Sequence, residues 1–386
     1  MLVLAAVSLL TDASSEIIYP LLPIFLTTVL GTSAAAVGAI EGAAETTAAL
    51  LKLASGWWSD RARRRKPLVV AGYALASLAR PLVAIAQSAG QVLAIRLTDR
   101  VGKGIRGSPR DALIAESVDP AIRGRAFGFH RAADHAGAVI GPLIAFALLR
   151  WEQLPLRTVF LFAALPGVLS VIVLVLGVRE TPRAIRATPG SKKAGVPSFD
   201  ASLGRGFWTF LASVLLFTLG NSTDAFLILR ANQLGVSVAL VPILWAALHV
   251  VKSAASVPGG ALSDRFGRKP LILAGWAVYA AVYLGFGRAT EMWHAWALFL
   301  AYGMFFGLTE GTQAALIADL VGQARRGTAY GWYSLAIGIG ALPASVLFGV
   351  VWDRVSPRAA FDLGAALALA AAVVLLPVRP QPAATA

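Results

Sequence analysis

Carboxylates and bases recur about one helical turn apart inside otherwise apolar sequence. Asp12 and Glu16 are four positions apart, as are Glu41 and Glu45. The stretch "RLTDRVGKGIRGSPRD" (96–111) gathers Arg96, Asp99, Arg100, Lys103, Arg106, Arg110 and Asp111, and "HRAADH" (130–135) supplies His130, Arg131, Asp134 and His135. Later sets are thinner: Asn221 with Asp224, His249 with Lys252, Glu310 with Gln313. A spacing of three or four puts both members of a pair on one helix face. The chemistry on offer is proton exchange. A carboxylate balanced between burial and a neighbouring guanidinium changes protonation with small rearrangements, and an imidazole titrates near neutrality. Asp12, Glu16 and Asp134 are the expected coupling acids, with Arg96, Arg100 and Arg131 as partners; Glu41 and Glu45 follow.

These residues must be carried by membrane helices. Of 386 residues 57% are hydrophobic and 14% charged, and apolar runs near the length of a bilayer crossing recur throughout. Apolar stretches and breakers give twelve spans, at about 3–28, 34–58, 67–87, 91–118, 124–149, 157–178, 206–231, 237–261, 270–287, 293–321, 327–351 and 359–377. The polar stretch 179–205 reads as a cytosolic linker between an N-terminal bundle, 1–178, and a C-terminal bundle, 206–386. The net charge of +14 does not point to nucleic acid. Nineteen of the 34 Lys and Arg fall in alternate loops, the linker and the tail, the positive-inside bias of an inner (plasma) membrane protein with both termini cytoplasmic. With no cysteine, thiolate metal sites and Cys nucleophiles are excluded. "MLVLAAVSLL" lacks the basic start of a signal peptide and begins inside the first span, which leaves room for a short cytosolic start ahead of it.

The halves repeat. "GWWSDRARRRKPLVVAG" (56–72) matches "GALSDRFGRKPLILAG" (260–275), "ALIAESV" (112–118) matches "ALIADLV" (315–321), and "RGRAFGFH" (123–130) matches "RGTAYGWY" (326–333). With six helices per half the repeat is parallel. At the same offset the charged stretch 96–111 pairs with "FLAYGMFFGLTEGTQA" (299–314), which reads as an ordinary membrane helix, so the charged copy is expected at membrane depth too. Its seven charges fall within an arc of about 140° on a helical wheel. Gly102-Lys103-Gly104-Ile105-Arg106-Gly107 fits the dinucleotide fingerprint G-x-G-x-x-G, but neither the strand before it nor the βαβ unit around it is present. Asn221-Ser222-Thr223 is a formal glycosylation sequon inside a span.

These duplicated blocks resemble the major facilitator superfamily along essentially the whole chain. Gly56, Ser59, Asp60, Arg61, Arg64, Arg65 and Lys66 match its loop signature between helices 2 and 3. Gly260, Ser263, Asp264, Arg265, Gly267, Arg268 and Lys269 match the second copy more closely. Arg63 and a one-residue insertion are departures in the first copy. Arg96 fits the arginine of the family's helix 4, and Gly137-x-x-x-Gly141-Pro142 resembles the helix 5 signature of its antiporters. The resemblance implies an all-α membrane fold of twelve helices, its two bundles rocking about a midplane cavity lined by helices 1, 4, 7 and 10. It also implies a cytosolic latch from Asp60, Arg61, Arg64, Glu116 and Arg123 with Asp264, Arg265, Arg268, Asp319 and Arg326. For Gly137 and Gly141, close helix approach is the physical role, with a bend at Pro142.

Charge at membrane depth costs roughly 2.5–3.5 kcal/mol per residue on insertion scales, so it is rarely incidental. Interior bases and acids of the first bundle nearly balance, which allows a fixed salt-bridge network as well as proton exchange. The expectation is a transporter and not an enzyme, since no nucleophile–base constellation stands out. It would export a small molecule against protons, drug/proton-antiporter-like, as a monomer in the lipid bilayer. Protons are the coupling ion, and no cofactor, resident metal or nucleic-acid partner is expected. Proton symport of an anionic metabolite drawn to Arg100, Lys103 and Arg106 is the alternative use of the fold. A non-transporting sensor or scaffold is the alternative class.

Overall fold

A computed structural model describes residues 1–61, 64–117, 123–180, 203–321 and 326–378, apart from the side chains of 53, 56–57, 59–61, 115–116, 123–128, 131, 257 and 326–328. Every element among the described residues is helical. Twelve helical spans follow in order: α1 (Leu2–Val29), α2 (Ala34–Arg61), α3 (Lys66–Ile85), α4 (Ala89–Glu116), α5 (Arg123–Arg150), α6 (Leu156–Gly177), α7 (Arg205–Gln233), α8 (Val241–Phe266), α9 (Arg268–Arg288), α10 (Met292–Leu320), α11 (Arg326–Arg354) and α12 (Pro357–Leu375).

The internal repeat is a repeat of structure. Leu2 and Arg205, Ala89 and Met292, and Arg123 and Arg326 open corresponding helices, each pair 203 positions apart. Packing repeats with it. In the first half α1 packs on α5 and α6 while α3 packs on α4; in the second, α7 packs on α11 and α12 while α9 packs on α10. The interruption of each half's first helix also recurs. After Ile18 α1 tightens into a 3₁₀ turn at Tyr19–Leu21 and ends in a π-helical turn at Phe25–Val29, and α7 is broken between Gly220 and Ala225. Pro20 and Pro23 remove backbone donors in the first case. In the second, "NST" favours local side-chain bonds over the helix.

Among the described residues nine helices are long and apolar enough to cross a membrane, with α2, α4 and α10 outside that set. The charges of α2 and α4 explain two of these. In α10, Trp293 and His294 at the start and Thr309, Glu310, Thr312 and Gln313 in the second half interrupt the apolar run. Leu165, Leu176, Val355 and Val373 are all more than 60% exposed, as befits surfaces whose solvent is lipid.

Two compact units emerge, and their limits differ from a simple cut at the linker. One comprises Met1–Thr32, Ala43–Ala194 and Ser237–Ala246; the other comprises Ser33–Gly42, Gly195–Val236 and Ala247–Ala386. The first turns of α2 and of α8 therefore each belong with the other half's unit. In the second unit, the N–H groups of Ala34 and Ala35 donate to the Asp353 carboxylate at 3.1 and 2.7 Å, satisfying donors that a helix start leaves open.

Candidate functional site

The Gly137–Pro142 motif places the first pair of acids. A Cβ on Gly137 would lie 2.4 Å from the Leu9 carbonyl oxygen and 3.0 Å from Asp12 Cβ. On Gly141 it would lie 2.5 Å from the Ala13 oxygen and 3.0 Å from Glu16 Cβ. Only glycine lets the α5 backbone lie this close to α1. Asp12 and Glu16 project from that tight seam, and Glu16 sits just before the 3₁₀ turn of α1.

Among the described residues no arginine forms an ion pair with Glu16. Its carboxylate accepts a hydrogen bond from the Trp245 indole N–H at 2.8 Å, from the α8 segment that belongs to the first unit. The same indole stands 5.3 Å from the Tyr19 ring, and Arg96 lies 5.5 Å from that ring's centroid. The Asp12 carboxylate makes no hydrogen bond or ion pair among the described residues, and its backbone carbonyl accepts from the Ser15 hydroxyl at 3.1 Å. Asp134 accepts from the Ser8 hydroxyl and lies 3.4 Å from His130 Nδ1.

Arg96 and Arg100 pair with other acids among the described residues. Asp99 takes Arg80 at 2.8 Å and Arg96 at 3.6 Å, all three buried. Arg80 also donates to the Thr11 carbonyl oxygen at 2.9 Å, tying α3 and α4 to the backbone of α1 beside Asp12. Arg100 pairs with Glu45 at 2.9 Å. Arg110 turns to Asp111 at 2.8 Å. Arg96 meets Asp99 three residues on along α4, the spacing that puts both on one face, and Arg100 reaches across to α2. Glu41 is buried, whereas Lys103 and Glu310 are exposed and His135 is half-buried. The Arg131 side chain lies outside the described residues.

The glycine run of α4 has a mechanical use. A Cβ on Gly102 would meet the Gly72 oxygen at 2.6 Å, and one on Gly104 would meet Leu51 Cβ at 2.5 Å. The two glycines seat α4 against α3 on one side and α2 on the other, where Ser55 donates to the Gly104 oxygen at 2.7 Å. A nucleotide loop needs an open helix start. This run is mid-helix.

In the second unit polar groups pair with aromatic hydroxyls. Tyr302 donates to Asp224 at 2.7 Å and Tyr333 to Gln313 at 2.7 Å. Asn221 lies at the break of α7, its Oδ1 buried without a hydrogen-bond partner. The Lys252 ammonium sits 3.6 Å from the Phe306 ring centroid, a cation–π contact.

Of the expected latch, Asp60, Arg61, Glu116, Arg123 and Arg326 have side chains outside the described residues. Arg64 is exposed. The second copy forms a network: Arg268 meets Asp264 at 2.5 Å and Asp319 at 3.5 Å and donates to Ser263 at 2.5 Å. Arg265 lies over the Phe266 ring. The lysines that close both copies share a role the sequence did not disclose. Lys66 donates to the Val175 and Val178 carbonyls at 2.8 and 2.6 Å, and Lys269 to those of Leu376 and Val378 at 2.9 and 3.0 Å. Each binds the carbonyl end of its own half's last helix, where positive charge is favoured.

Arg80, Trp245, Ser8, Tyr73 and Tyr302 are the polar residues that sequence reasoning passed over. Arg80 alone carried a signal, a lone base before proline in an apolar run. The others are ordinary in type, and only their neighbours make them notable.

The family model of the Major Facilitator Superfamily matches residues 4–251 and 209–386, and the chain belongs to that superfamily. An uncharacterized MFS-type transporter of Methanocaldococcus jannaschii is 34% identical over 375 residues, covering 96% of this chain and 92% of the relative. Multidrug resistance protein MdtH of Escherichia coli is 28% identical over 116 residues, 30% of this chain and 29% of MdtH. Among solved structures, the nucleoside transporter NupG superposes with a TM-score of 0.82 at 12% identity, covering 98% of each chain, a likeness of fold. The protein is a multi-pass membrane transporter of the secondary type.

Proposed function

We propose that the protein is a proton-coupled antiporter exporting a small molecule by alternating access, with Asp12 and Glu16 as the coupling acids and Asp134 supporting them. One observation carries the reading. Two carboxylates are pinned by glycine contacts beside the irregular turn of α1, and neither is neutralised by a fixed base among the described residues. Arg80, Arg100 and Arg110 are held in pairs of their own, and Arg106 and Lys103, whose charges face Asp12, do not bond to it among the described residues. An acid so placed can take its counter-charge from a proton. Broken membrane helices recur where transporters bind substrate and coupling ions. The partial likeness to MdtH agrees with export. The reading places both termini in the cytoplasm and the protein, as a monomer without cofactor, in the plasma membrane.

The test is transport into vesicles under an imposed pH gradient. Antiport predicts that solute moves against the proton flow and that Asp12→Asn or Glu16→Gln abolishes this movement while thermal unfolding stays within a few degrees of wild type. Solute moving with the protons would make the protein a symporter. Full pH-driven transport in both variants would remove these acids from coupling.

A further inference from the structure

Arg106 is the one base in the α4 face that is deeply buried and lacks an acidic partner among the described residues. It is 4% exposed, and its Nη1 has no hydrogen-bond partner. Its guanidinium carbon lies 4.1 Å from the centroid of the Tyr73 ring. Tyr73 is fully buried, and its hydroxyl is also without a partner. Buried donors are nearly always satisfied, so two unsatisfied ones side by side call for an acceptor.

Packing builds this arrangement. A Cβ on Gly72 would stand 2.7 Å from Arg106 Cβ, so the stem of Arg106 is laid across α3 directly beside Tyr73. Lys103 lies one turn back on the same face of α4, exposed and with no side-chain hydrogen bond or ion pair among the described residues. Arg110, one turn on, is turned to Asp111 and Ser8. Asp12 is the acid whose charge meets those of Arg106, Lys103 and Arg110 across the gap, yet it bonds to none of them.

The open valences here all belong to donors: a guanidinium N–H, a phenol O–H and an ammonium group. A water molecule could accept from them but would leave the buried Arg106 guanidinium without a bonded counter-charge. We propose that Arg106, Tyr73 and Lys103 form a subsite for a carboxylate or phosphate group, borne by the transported solute or arriving as a free anion. Planar guanidinium suits either group, through paired N–H donors. Carriage of the group rests on the transport reading above; binding of it does not.

The experiment is thermal unfolding of the purified protein, followed by tryptophan fluorescence, in titrations with sodium acetate, sodium benzoate and inorganic phosphate at ionic strength held with sodium chloride. The subsite predicts a saturable rise in Tm with at least one of these. Tyr73→Phe, which keeps the ring and removes the hydroxyl, should weaken that binding roughly five-fold. Arg106→Gln should abolish it, and Asp12→Asn should tighten it by removing the competing charge. Where Arg106→Gln does not fold, Tyr73→Phe decides. Benzoate binding better than acetate would assign the group to a larger solute; acetate or phosphate binding better would assign it to a free anion. Shifts that do not saturate, or that are identical in wild type and Tyr73→Phe, overturn the subsite. If proton-driven transport persists in such an anion-indifferent protein, the coupling reading stands alone. If anions bind but no proton-driven transport is found, the subsite stands and the coupling reading falls.

Discussion

The two halves share one backbone plan and fill it with different chemistry. Among the described residues every buried ionic side chain lies in the first half: Glu41, Arg65, Arg80, Arg96, Asp99, Arg100 and Arg106. Nine of the twelve largest fully buried side chains lie in the second, including Trp276, Tyr279, Tyr283 and Tyr302. There Phe217 stacks on Trp276 at 4.7 Å and Tyr279 on Tyr283 at 4.1 Å. The helix starts keep their spacing of 203 although the caps differ, Met1 against Gly204 and Ser88 against Glu291. What fills the interior is set by side-chain pairing, and that was free to diverge. Ion pairs such as Arg80–Asp99 and Arg100–Glu45 join helices of the first half, and the proposed coupling uses the acids outside them. Ring packing in the second is rigid and indifferent to pH.

Breaking the buried triad should have the largest effect. Arg80→Ala leaves Asp99 with Arg96 alone and frees the Thr11 carbonyl, a loss of about 3–5 kcal/mol. Asp99→Asn should cost somewhat less, since the amide still accepts from Arg80. Thermal unfolding in detergent checks both, and a fall in Tm no larger than that of an exposed-surface substitution would show the pair to be dispensable.

Next comes the seam that positions the acids. Gly141→Ala forces a Cβ against the Ala13 carbonyl and should cost about 1–3 kcal/mol through overpacking. Transport should fall further than stability does, because Glu16 moves with the seam. The control is Gly331→Ala in α11, where a Cβ meets nothing within 4 Å; its Tm and transport should match wild type. Equal behaviour of the two variants would count against a positioning role for the motif.

The paired lysines test where the halves remain alike. Lys66→Gln and Lys269→Gln should each cost about 1 kcal/mol, modest because the amines are partly exposed. A clear difference between them would mean that the duplicated signature no longer does the same work in both halves. Smallest is Tyr302→Phe, which removes one hydrogen bond to Asp224 and should cost about 0.5–1.5 kcal/mol while the aromatic cluster persists. A drop as deep as that of Arg80→Ala would put the second half's polar contacts on the footing of the first's.

Much of this architecture was legible from residues alone. Apolar runs and duplicated loop blocks gave the twelve helices and the repeat, since periodicity and bilayer thickness act on the chain locally. The Gly137–Gly141 spacing announced a close helix contact. Which helix it would touch, and that Asp12 and Glu16 would stand there, depended on the folding of α5 against α1. Partner choice was likewise beyond local reading. Arg96, Arg100 and Arg110 could have served any nearby acid, and three-dimensional proximity gave them Asp99, Glu45 and Asp111. Arg80, Trp245 and Tyr73 acquired their roles from residues 19, 229 and 33 positions away. Hydrophobic pattern fixes which face of a helix turns inward; only packing, where distance sets electrostatic energy, decides which inward-facing charge meets which.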